Sequence, residues 1–145
     1  MKRQSRTQKA LLAIALTMAS ILFAYPAAAG YVPTNVVLRS GPSAQVPAVG
    51  MVLAGSRVHL YGCEKGYKWC DVRVAGRRGW MSAHYVSIAY RDSMVLLPTY
   101  VQMTQKPDIA VVPFNIDSYW SNNYSDFYFY DEIGTWRNVD WGRDE

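Results

Sequence analysis

Between residues 35 and 90 the chain alternates apolar and polar residues in short runs that are separated by glycine-rich turns. Alternation with a period of two predicts β-strands with one buried face. The runs that predict strands are 35–39, 49–53, 57–61, 67–74, 79–82 and 87–90, with a single helical turn at 84–86. Short strands joined by turns, with no amphipathic helix between them, predict a small all-β barrel.

The runs 57–61 and 67–74 predict a hairpin, and their alternation assigns the two faces of each strand. The inward residues are Val58, Leu60, Cys70, Val72 and Val74, and the outward residues of the second strand are Trp69, Asp71 and Arg73. Pairing Leu60 with Val72 leaves Cys63 one residue out of phase with Cys70. We therefore predict a β-bulge at Gly62, because glycine adopts the bulged backbone at little cost.

Residues 1–29 have the pattern of a secretory signal peptide. A basic segment precedes an uncharged apolar run at 10–24, and Pro26 and small residues at 27–29 follow it. The basic residues are Lys2, Arg3, Arg6 and Lys9. This order predicts a periplasmic or secreted protein that is cleaved after Ala29 and has no further membrane association. An uncleaved anchor is the alternative, since the apolar stretch approaches the ~20 residues that span a bilayer.

Charge is unevenly distributed along the chain. The sequence has 15 Lys and Arg against 11 Asp and Glu, but four of the basic residues lie in the predicted signal peptide. The mature protein would be neutral, so a nucleic-acid-binding function loses its main support. Residues 30–90 contain seven basic and two acidic residues, whereas 91–145 contain four basic and nine acidic residues. The two parts could attract each other or bind separate partners.

Cys63 and Cys70 are the only two cysteines of the sequence. In an exported protein, one close pair predicts a disulfide, which would stabilise the fold by about 2.5 kcal/mol in the chain-entropy model. A redox pair and a metal site are the alternatives, and only His59 and His84 could complete a metal shell. We expect no metal and no cofactor.

Residues 91–145 predict an aromatic, acidic C-terminal extension of mixed or irregular structure. Eleven of its 55 residues are aromatic, which argues against disorder. Asp117 or Ser118 is a candidate N-cap for a short helix that continues to Tyr124, and weak alternation at 126–133 predicts a strand. The extension either folds back on the barrel or binds a partner, and its negative charge favours docking on the basic barrel.

Four motifs in residues 31–90 resemble those of a bacterial SH3 domain in order and spacing. They are LRSGPS at 38–43, AG at 54–55, WCDV at 69–72 and GWMSAHYV at 79–86. The resemblance covers about half of the predicted mature chain and implies an SH3-like barrel at 30–90 that works in the bacterial envelope. It is also similar to the end of eukaryotic SH3 domains, whose Trp and Tyr side chains line a peptide groove, which implies groove positions for Trp69 and Tyr85.

The sequence and this resemblance predict a non-catalytic exported module that binds peptidoglycan or a peptide of the cell envelope. Aromatic faces stack on peptide or sugar rings, and arginines bind the carboxylates that peptidoglycan stem peptides carry. The candidate ligand-binding residues are Trp69, Tyr61, Tyr67, Tyr85, Arg39 and Arg73, and Arg77 and Arg78 would extend the basic patch.

Two other functions stay open at this point. The first is a structural or regulatory protein whose aromatic tail recognises another exported protein or peptide. The second is an accessory hydrolase with an unrecognised site. The chain has no HExxH, GxSxG, Cys–His or phosphate-loop motif, so we predict that it is not an enzyme.

Overall fold

A computed structural model describes residues 28–142 of the chain. The predicted signal peptide, apart from Ala28 and Ala29, lies outside the described residues. The strands are β1 (Ala28–Tyr31), β2 (Val36–Arg39), β3 (Ala48–Val52), β4 (Arg57–Cys63), β5 (Trp69–Val74), β6 (Arg77–Ser82), β7 (Ser87–Tyr90) and β8 (Ser93–Leu96). The helices are α1 (Leu97–Thr104), α2 (Ile116–Asn123) and α3 (Ile133–Trp136), with 3₁₀ turns at Ala83–Tyr85 and Tyr130–Glu132.

The strands form one curled antiparallel sheet with the order β3-β2-β6-β5-β4-β1-β7-β8. This architecture confirms the predicted all-β, SH3-like class. Two of its strands were not predicted. β1 lies between β4 and β7, with Gly30 opposite both Val58 and Ile88. A Cβ at Gly30 would lie 2.7 Å from the Ser87 carbonyl oxygen, so this close approach requires glycine. β8 pairs with β7 and continues the sheet beyond residue 90.

The predicted register and bulge of the β4–β5 hairpin are confirmed. Leu60 pairs with Val72, and Cys63 pairs with Cys70, which is possible because the register shifts between Leu60 and Gly62. In this bulge Tyr61 and Gly62 together lie opposite a single residue of β5. The sulfur atoms of Cys63 and Cys70 are bonded in a disulfide, as predicted.

The turn between β5 and β6 is shorter than predicted. Ala75 and Gly76 both have positive φ, 48° and 77°, and two such residues make the tight turn that suits the twist of a hairpin. The predicted strands at 67–74 and 79–82 leave Arg77 and Arg78 in the turn between them, whereas in the structure these two residues begin β6. The pleat of the sheet therefore sets the direction of their side chains, which do not lie at the tip of a loop.

The barrel interior and the tail share one apolar cluster. Its fully buried members include Val58, Val72 and Met81 of the barrel and Trp120 and Phe129 of the tail. Burial of a large aromatic side chain contributes several kcal/mol to stability, about 3–5 kcal/mol as judged by truncation to alanine. The sequence left two placements open for the tail, docking on the barrel or binding to a partner. In the structure the tail is docked on the barrel.

Hydrogen bonds fix this docking at several points. An extended segment before α2 runs alongside β4: the Cys63 N–H donates to the Ala110 carbonyl (2.9 Å), and the Val112 N–H donates to the Cys63 carbonyl (2.8 Å). Further along, the indole N–H of Trp120 donates to the Ser40 carbonyl at 2.9 Å. The tail is therefore attached at both the end of β4 and the loop after β2.

Part of the predicted tail structure is correct. The short helix exists as α2, but its N-cap is Asn115, whose side chain accepts the Ser118 N–H. The strand predicted at 126–133 is wrong, because this segment forms turns and a 3₁₀ turn. Phe127 and Phe129 of this segment pack at the end of α2 instead, with the Phe129 ring 4.9 Å from that of Trp120 and the Phe127 ring 5.2 Å from that of Tyr124. The helix α1 was not predicted.

Candidate ligand-binding cleft

A cleft of about 440 Å³ opens on the barrel surface where β2, the start of β5 and the 3₁₀ turn after β6 approach one another. Its lining residues are Asn35, Val36, Val37, Arg39, Ala44, Lys68, Trp69, Ser82, His84 and Tyr85. The lining combines the aromatic residues Trp69 and Tyr85 with the basic residues Arg39, Lys68 and His84. It contains no carboxylate.

Local backbone contacts position the two aromatic residues. Trp69 begins β5 and pairs with Ser82 at the end of β6. The chain then enters the 3₁₀ turn, where the Ala83 N–H donates to the Lys68 carbonyl at 2.8 Å. This bond places Tyr85, which is 40% exposed, beside the start of β5. The two rings therefore reach the cleft from different elements.

The turn that leads into Trp69 is closed by the carboxylate of Glu64. Its oxygens accept the N–H groups of Gly66 (2.6 Å), Lys68 (2.6 Å) and Trp69 (3.3 Å). Because Glu64 is engaged with backbone donors, it holds the loop rather than facing the cleft. The position of Trp69 is thus determined by the loop as well as by the strand.

Their outward orientation on β5 does not expose Trp69 and Asp71 to solvent. The pleat places both on the face opposite Cys70 and Val72, as predicted, but Trp69 is 6% and Asp71 4% exposed. Tyr119 of the tail contacts Asp71, and Trp69 belongs to the lining of the cleft. Trp69 contributes an edge of the cleft rather than an open stacking surface.

Asp71 lies at the centre of a polar cluster that the sequence did not reveal, formed by Asp71, Arg78 and Tyr119. Nε and Nη2 of Arg78 donate to its two carboxylate oxygens at 3.0 and 2.6 Å, and the hydroxyl of Tyr119 donates to Oδ1 at 2.7 Å. The guanidinium of Arg78 also lies 3.7 Å from the ring centroid of Tyr61. The cluster joins the barrel to α2.

The environment of this cluster shifts the pKa values of its members. The hydrogen bonds that Arg78 donates to Asp71, opposed by burial, raise the pKa of Arg78 further above its ordinary value. Burial raises the pKa of Tyr119 well above that of an exposed tyrosine, and burial likewise raises the pKa of Tyr124. The two tyrosines are therefore neutral throughout the physiological range, while Arg78 is charged and compensated by a carboxylate.

Residues 34–87 match the family model of the bacterial SH3 domain. This segment is a bacterial SH3 domain. The chain has no significant match among curated proteins or among solved structures. Bacterial SH3 domains are commonly binding modules, often for the cell wall, and are generally non-catalytic. Together with the disulfide, this family points to an extracellular or periplasmic protein.

Every residue that lines the cleft falls inside the matched SH3 segment, since they run from Asn35 to Tyr85. The polar cluster instead joins two residues of the SH3 segment to Tyr119 of the tail. A carboxylate on a strand followed seven residues later by an arginine is a pattern that could have signalled the ion pair. The contribution of Tyr119 could not be found in that way, because its contact spans 48 residues.

The SH3 fold separates the six predicted site residues. Trp69, Tyr85 and Arg39 meet in the cleft. Tyr61 lies under the guanidinium of Arg78. The other two lie elsewhere: Tyr67 packs against the core with φ of 56°, and Arg73 is exposed on β5.

Among residues 28–142, no group of three or more metal-ligating side chains is placed to hold a metal ion. In the same part of the chain, no helix combines the length and apolarity that are needed to cross a bilayer.

Proposed function

We propose that this protein is a non-catalytic exported module that binds carboxylate-bearing peptides of the bacterial cell envelope, foremost those of peptidoglycan, in the cleft between Trp69 and Tyr85. The observation that carries the proposal is the chemistry of the lining, which has basic and aromatic side chains and no carboxylate. A peptide carboxylate entering this cleft meets cationic groups without an internal competitor.

Arg39 is the residue best placed to receive a carboxylate. Its Nη1 donates to the Val46 carbonyl at 3.2 Å, which holds the guanidinium against the loop after β2. An arginine has five N–H donors, so this bond leaves others for a ligand. His84 is an exposed residue of the same lining, and its ring can offer an N–H donor to a ligand.

Tyr85 supplies the apolar contact. It is 40% exposed although it belongs to a structured 3₁₀ turn. A rigid, partly exposed aromatic ring beside a charged group contributes contact area at a low cost in conformational entropy. Peptide side chains or sugar rings would pack on this ring while their carboxylate faces Arg39.

The alternative function, in which the aromatic tail captures another protein, receives less support. Trp120, Tyr124 and Phe129 are almost fully buried against the barrel, so they are engaged within the chain. Tyr128 is the large tail residue with the highest exposed fraction, 82%, among those described. One exposed ring offers little surface for a stable protein interface.

Retention on purified peptidoglycan sacculi would test the proposed function. We expect the protein to sediment with sacculi and Tyr85→Ala to be retained about tenfold less, which corresponds to ~1.4 kcal/mol. Tyr128→Ala is the matched control, because it removes a more exposed tyrosine outside the cleft. Raised salt should also weaken retention, since screening reduces the attraction between arginine and carboxylate.

Equal retention of Tyr85→Ala and the unchanged protein would contradict the cleft as the binding site. Failure of the unchanged protein to bind sacculi, with capture of a single envelope protein that depends on Tyr128, would favour the tail hypothesis instead. Trp69→Ala is less informative, because Trp69 is 6% exposed and its truncation would also lower stability.

A further inference from the structure

Another cavity lies between the edge strand β3 and the turn that joins β5 to β6, and it has a volume of about 230 Å³. Its lining residues are Leu38, Gly50, Met51, Val52, Leu53, Ser56, Val74, Ala75 and Arg77. This lining shares no residue with the cleft between Trp69 and Tyr85. We call this space the edge cavity.

The edge cavity has an apolar floor and an apolar rim. The floor is formed by Leu38, Val52 and Val74, which come from three different strands and are each at most 5% exposed. The rim includes Met51 and Leu53, which are 58% and 63% exposed. Apolar surface that leaves water on binding stabilises a complex roughly in proportion to its area. The lining therefore favours a ligand with an apolar group.

Arg77 supplies the single charged group of this lining. It pairs with Val74 across the hairpin, so its side chain lies on the same inward face as that of Val74. A Cβ built at Gly50 would collide with Nη1 of Arg77, which means that the guanidinium reaches across to β3. Within residues 28–142, Arg77 takes part in no hydrogen bond or ion pair. Its N–H donors are therefore available to an anion at the cavity.

The position of β3 in the sheet adds a third element of recognition. β3 is the terminal strand on this side and, in the described part of the chain, pairs only with β2. The backbone N–H and C=O groups along its other edge consequently have no strand partner there. Such an edge can bind an extended peptide, whose backbone adds a further strand to the sheet.

We propose that the edge cavity binds the carboxyl terminus of a peptide whose last residue has a large apolar side chain. This side chain enters the cavity, the terminal carboxylate accepts hydrogen bonds from Arg77, and the preceding residues pair with β3. An arginine can donate two parallel hydrogen bonds to one carboxylate. The lining contains no acidic residue that would compete for Arg77.

The size of the cavity and the free edge distinguish this ligand from other carboxylates that carry an apolar group. A volume of about 230 Å³ is below the ~300–1,000 Å³ of pockets that enclose whole small molecules, so it suits a single side chain. A fatty acid also combines a carboxylate with an apolar chain, but it has no backbone groups to pair with β3. A peptide uses all three elements of the site.

Isothermal titration of the folded protein with acetyl-Ala-Ala-Leu would test this site. We expect the peptide to bind with its free carboxylate and to bind about tenfold more weakly as the C-terminal amide, the usual effect of losing a hydrogen bond to a charged group. Acetyl-Ala-Ala-Ala should also bind about tenfold more weakly, because its last side chain buries less apolar surface. Octanoate should bind more weakly than acetyl-Ala-Ala-Leu, because it cannot pair with β3.

Substitutions would locate the bound peptide. Arg77→Gln should weaken binding of the free acid about tenfold, and should bind the acid and the amide equally, since the group that distinguishes them is then absent. Arg73→Gln is the matched control, because Arg73 is exposed on the opposite face of the same hairpin. We expect unchanged affinity in Arg73→Gln and also in Tyr85→Ala, whose substitution lies in the cleft.

No binding of acetyl-Ala-Ala-Leu would overturn the proposal, and so would equal binding of its acid and amide by the unchanged protein. Equal losses in Arg73→Gln and Arg77→Gln would mean unspecific attraction by charge and would also contradict it. Loss of binding in Tyr85→Ala would place the peptide in the cleft, and tighter binding of octanoate would assign the cavity to acyl chains. Either result overturns the proposal. Because Tyr85→Ala separates the two sites, this test is independent of peptidoglycan binding in the cleft.

Discussion

Trp80 and Trp69 lie on the same outer face of the barrel, because Trp80 pairs with Asp71 and Trp69 pairs with Ser82 on the same two strands. Their surroundings differ. Trp80 is covered by the tail, with the Phe114 ring at 5.5 Å and the Tyr119 ring at 6.0 Å. Trp69 is 6% exposed and borders the open cleft.

Each surface also has an arginine and a tyrosine, so residue type does not distinguish them. A carboxylate does. On the covered surface Asp71 compensates Arg78, whereas the cleft that contains Arg39 has no carboxylate in its lining. A surface that supplies its own counter-charge is suited to internal packing, and one that lacks it is suited to an external anion.

The largest expected effect concerns the covered surface. Trp120→Ala should lower the free energy of unfolding by about 3–5 kcal/mol, because it removes a fully buried ring and leaves a cavity between tail and barrel. Denaturant unfolding followed by tryptophan fluorescence and circular dichroism would measure it. Tyr128→Ala, a truncation at an 82% exposed tail position, should change stability by less than about 0.5 kcal/mol. Similar small changes in both variants would mean that the tail is not part of the core.

Removal of the internal counter-charge should have the next largest effect. Asp71→Asn is expected to cost about 2 kcal/mol, since it weakens hydrogen bonds to a charged partner and leaves Arg78 uncompensated beneath the tail. Asp117→Asn is the matched control, because the Asp117–Arg137 pair is exposed, with side chains 55% and 51% accessible. Thermal unfolding should show no measurable change in the control. Equal shifts in the two variants would contradict the structural importance of the covered pair.

Alkaline pH should gradually lower the stability that the same covered surface provides. Burial raises the pKa of Tyr119 and Tyr124 in the folded state, whereas unfolding returns each to about 10. Above pH 10 the unfolded chain therefore releases protons that the folded chain retains. The contribution of these tyrosines to the free energy of unfolding is fully present below pH 10 and is lost as the pH rises above it. Each tyrosine contributes a slope of up to ~1.4 kcal/mol per pH unit.

Urea unfolding midpoints between pH 8 and pH 11 would measure this slope. Tyr119→Phe should reduce the slope by about half, because one of the two shifted groups is then absent. An identical pH dependence in Tyr119→Phe and the unchanged protein would contradict the raised pKa of Tyr119.

The smallest expected effect on stability concerns the open cleft. Tyr85→Ala should alter the free energy of unfolding by less than about 0.5 kcal/mol, because the residue is 40% exposed and the substitution leaves its backbone N–H and C=O groups in place. The urea midpoint would measure it. A loss of several kcal/mol would mean that Tyr85 belongs to the core, and the contrast between the covered and open surfaces would no longer hold.

The barrel was predictable because its strands carry their own pattern. Val58 and Leu60 face Val72 and Val74 through alternation alone, and the mismatch at Cys63 was sufficient to predict the bulge. β1 was missed because residues 28–30 are small and Ala28 and Ala29 belong to the predicted signal peptide, and the strand pairing of this segment comes entirely from β4 and β7.

Burial of the outer face could not be predicted in the same way. Trp69 and Asp71 alternate as outward residues of an isolated strand should, but whether an outward residue meets solvent depends on segments distant in the chain. Tyr119 reaches Asp71 across 48 residues, and no local pattern encodes that contact. The resemblance implied groove positions for Trp69 and Tyr85, whereas the place of Arg39 beside them and the separate locations of Tyr61, Tyr67 and Arg73 required the structure.

The position of β1 has a consequence for the time course of folding. The first described strand cannot complete its pairing until β7 has been made, since the Ser87 hydroxyl donates to the Tyr31 carbonyl across 56 residues. The contact from Trp120 to Ser40 spans 80 residues and forms later still. Closure across such separations is slow relative to local hairpin formation. A chain that emerges from its N-terminus onward would therefore form the β4–β5–β6 meander first, would complete the pairing of its first strand only after β7 has emerged, and would dock its tail only when nearly all of its residues are available.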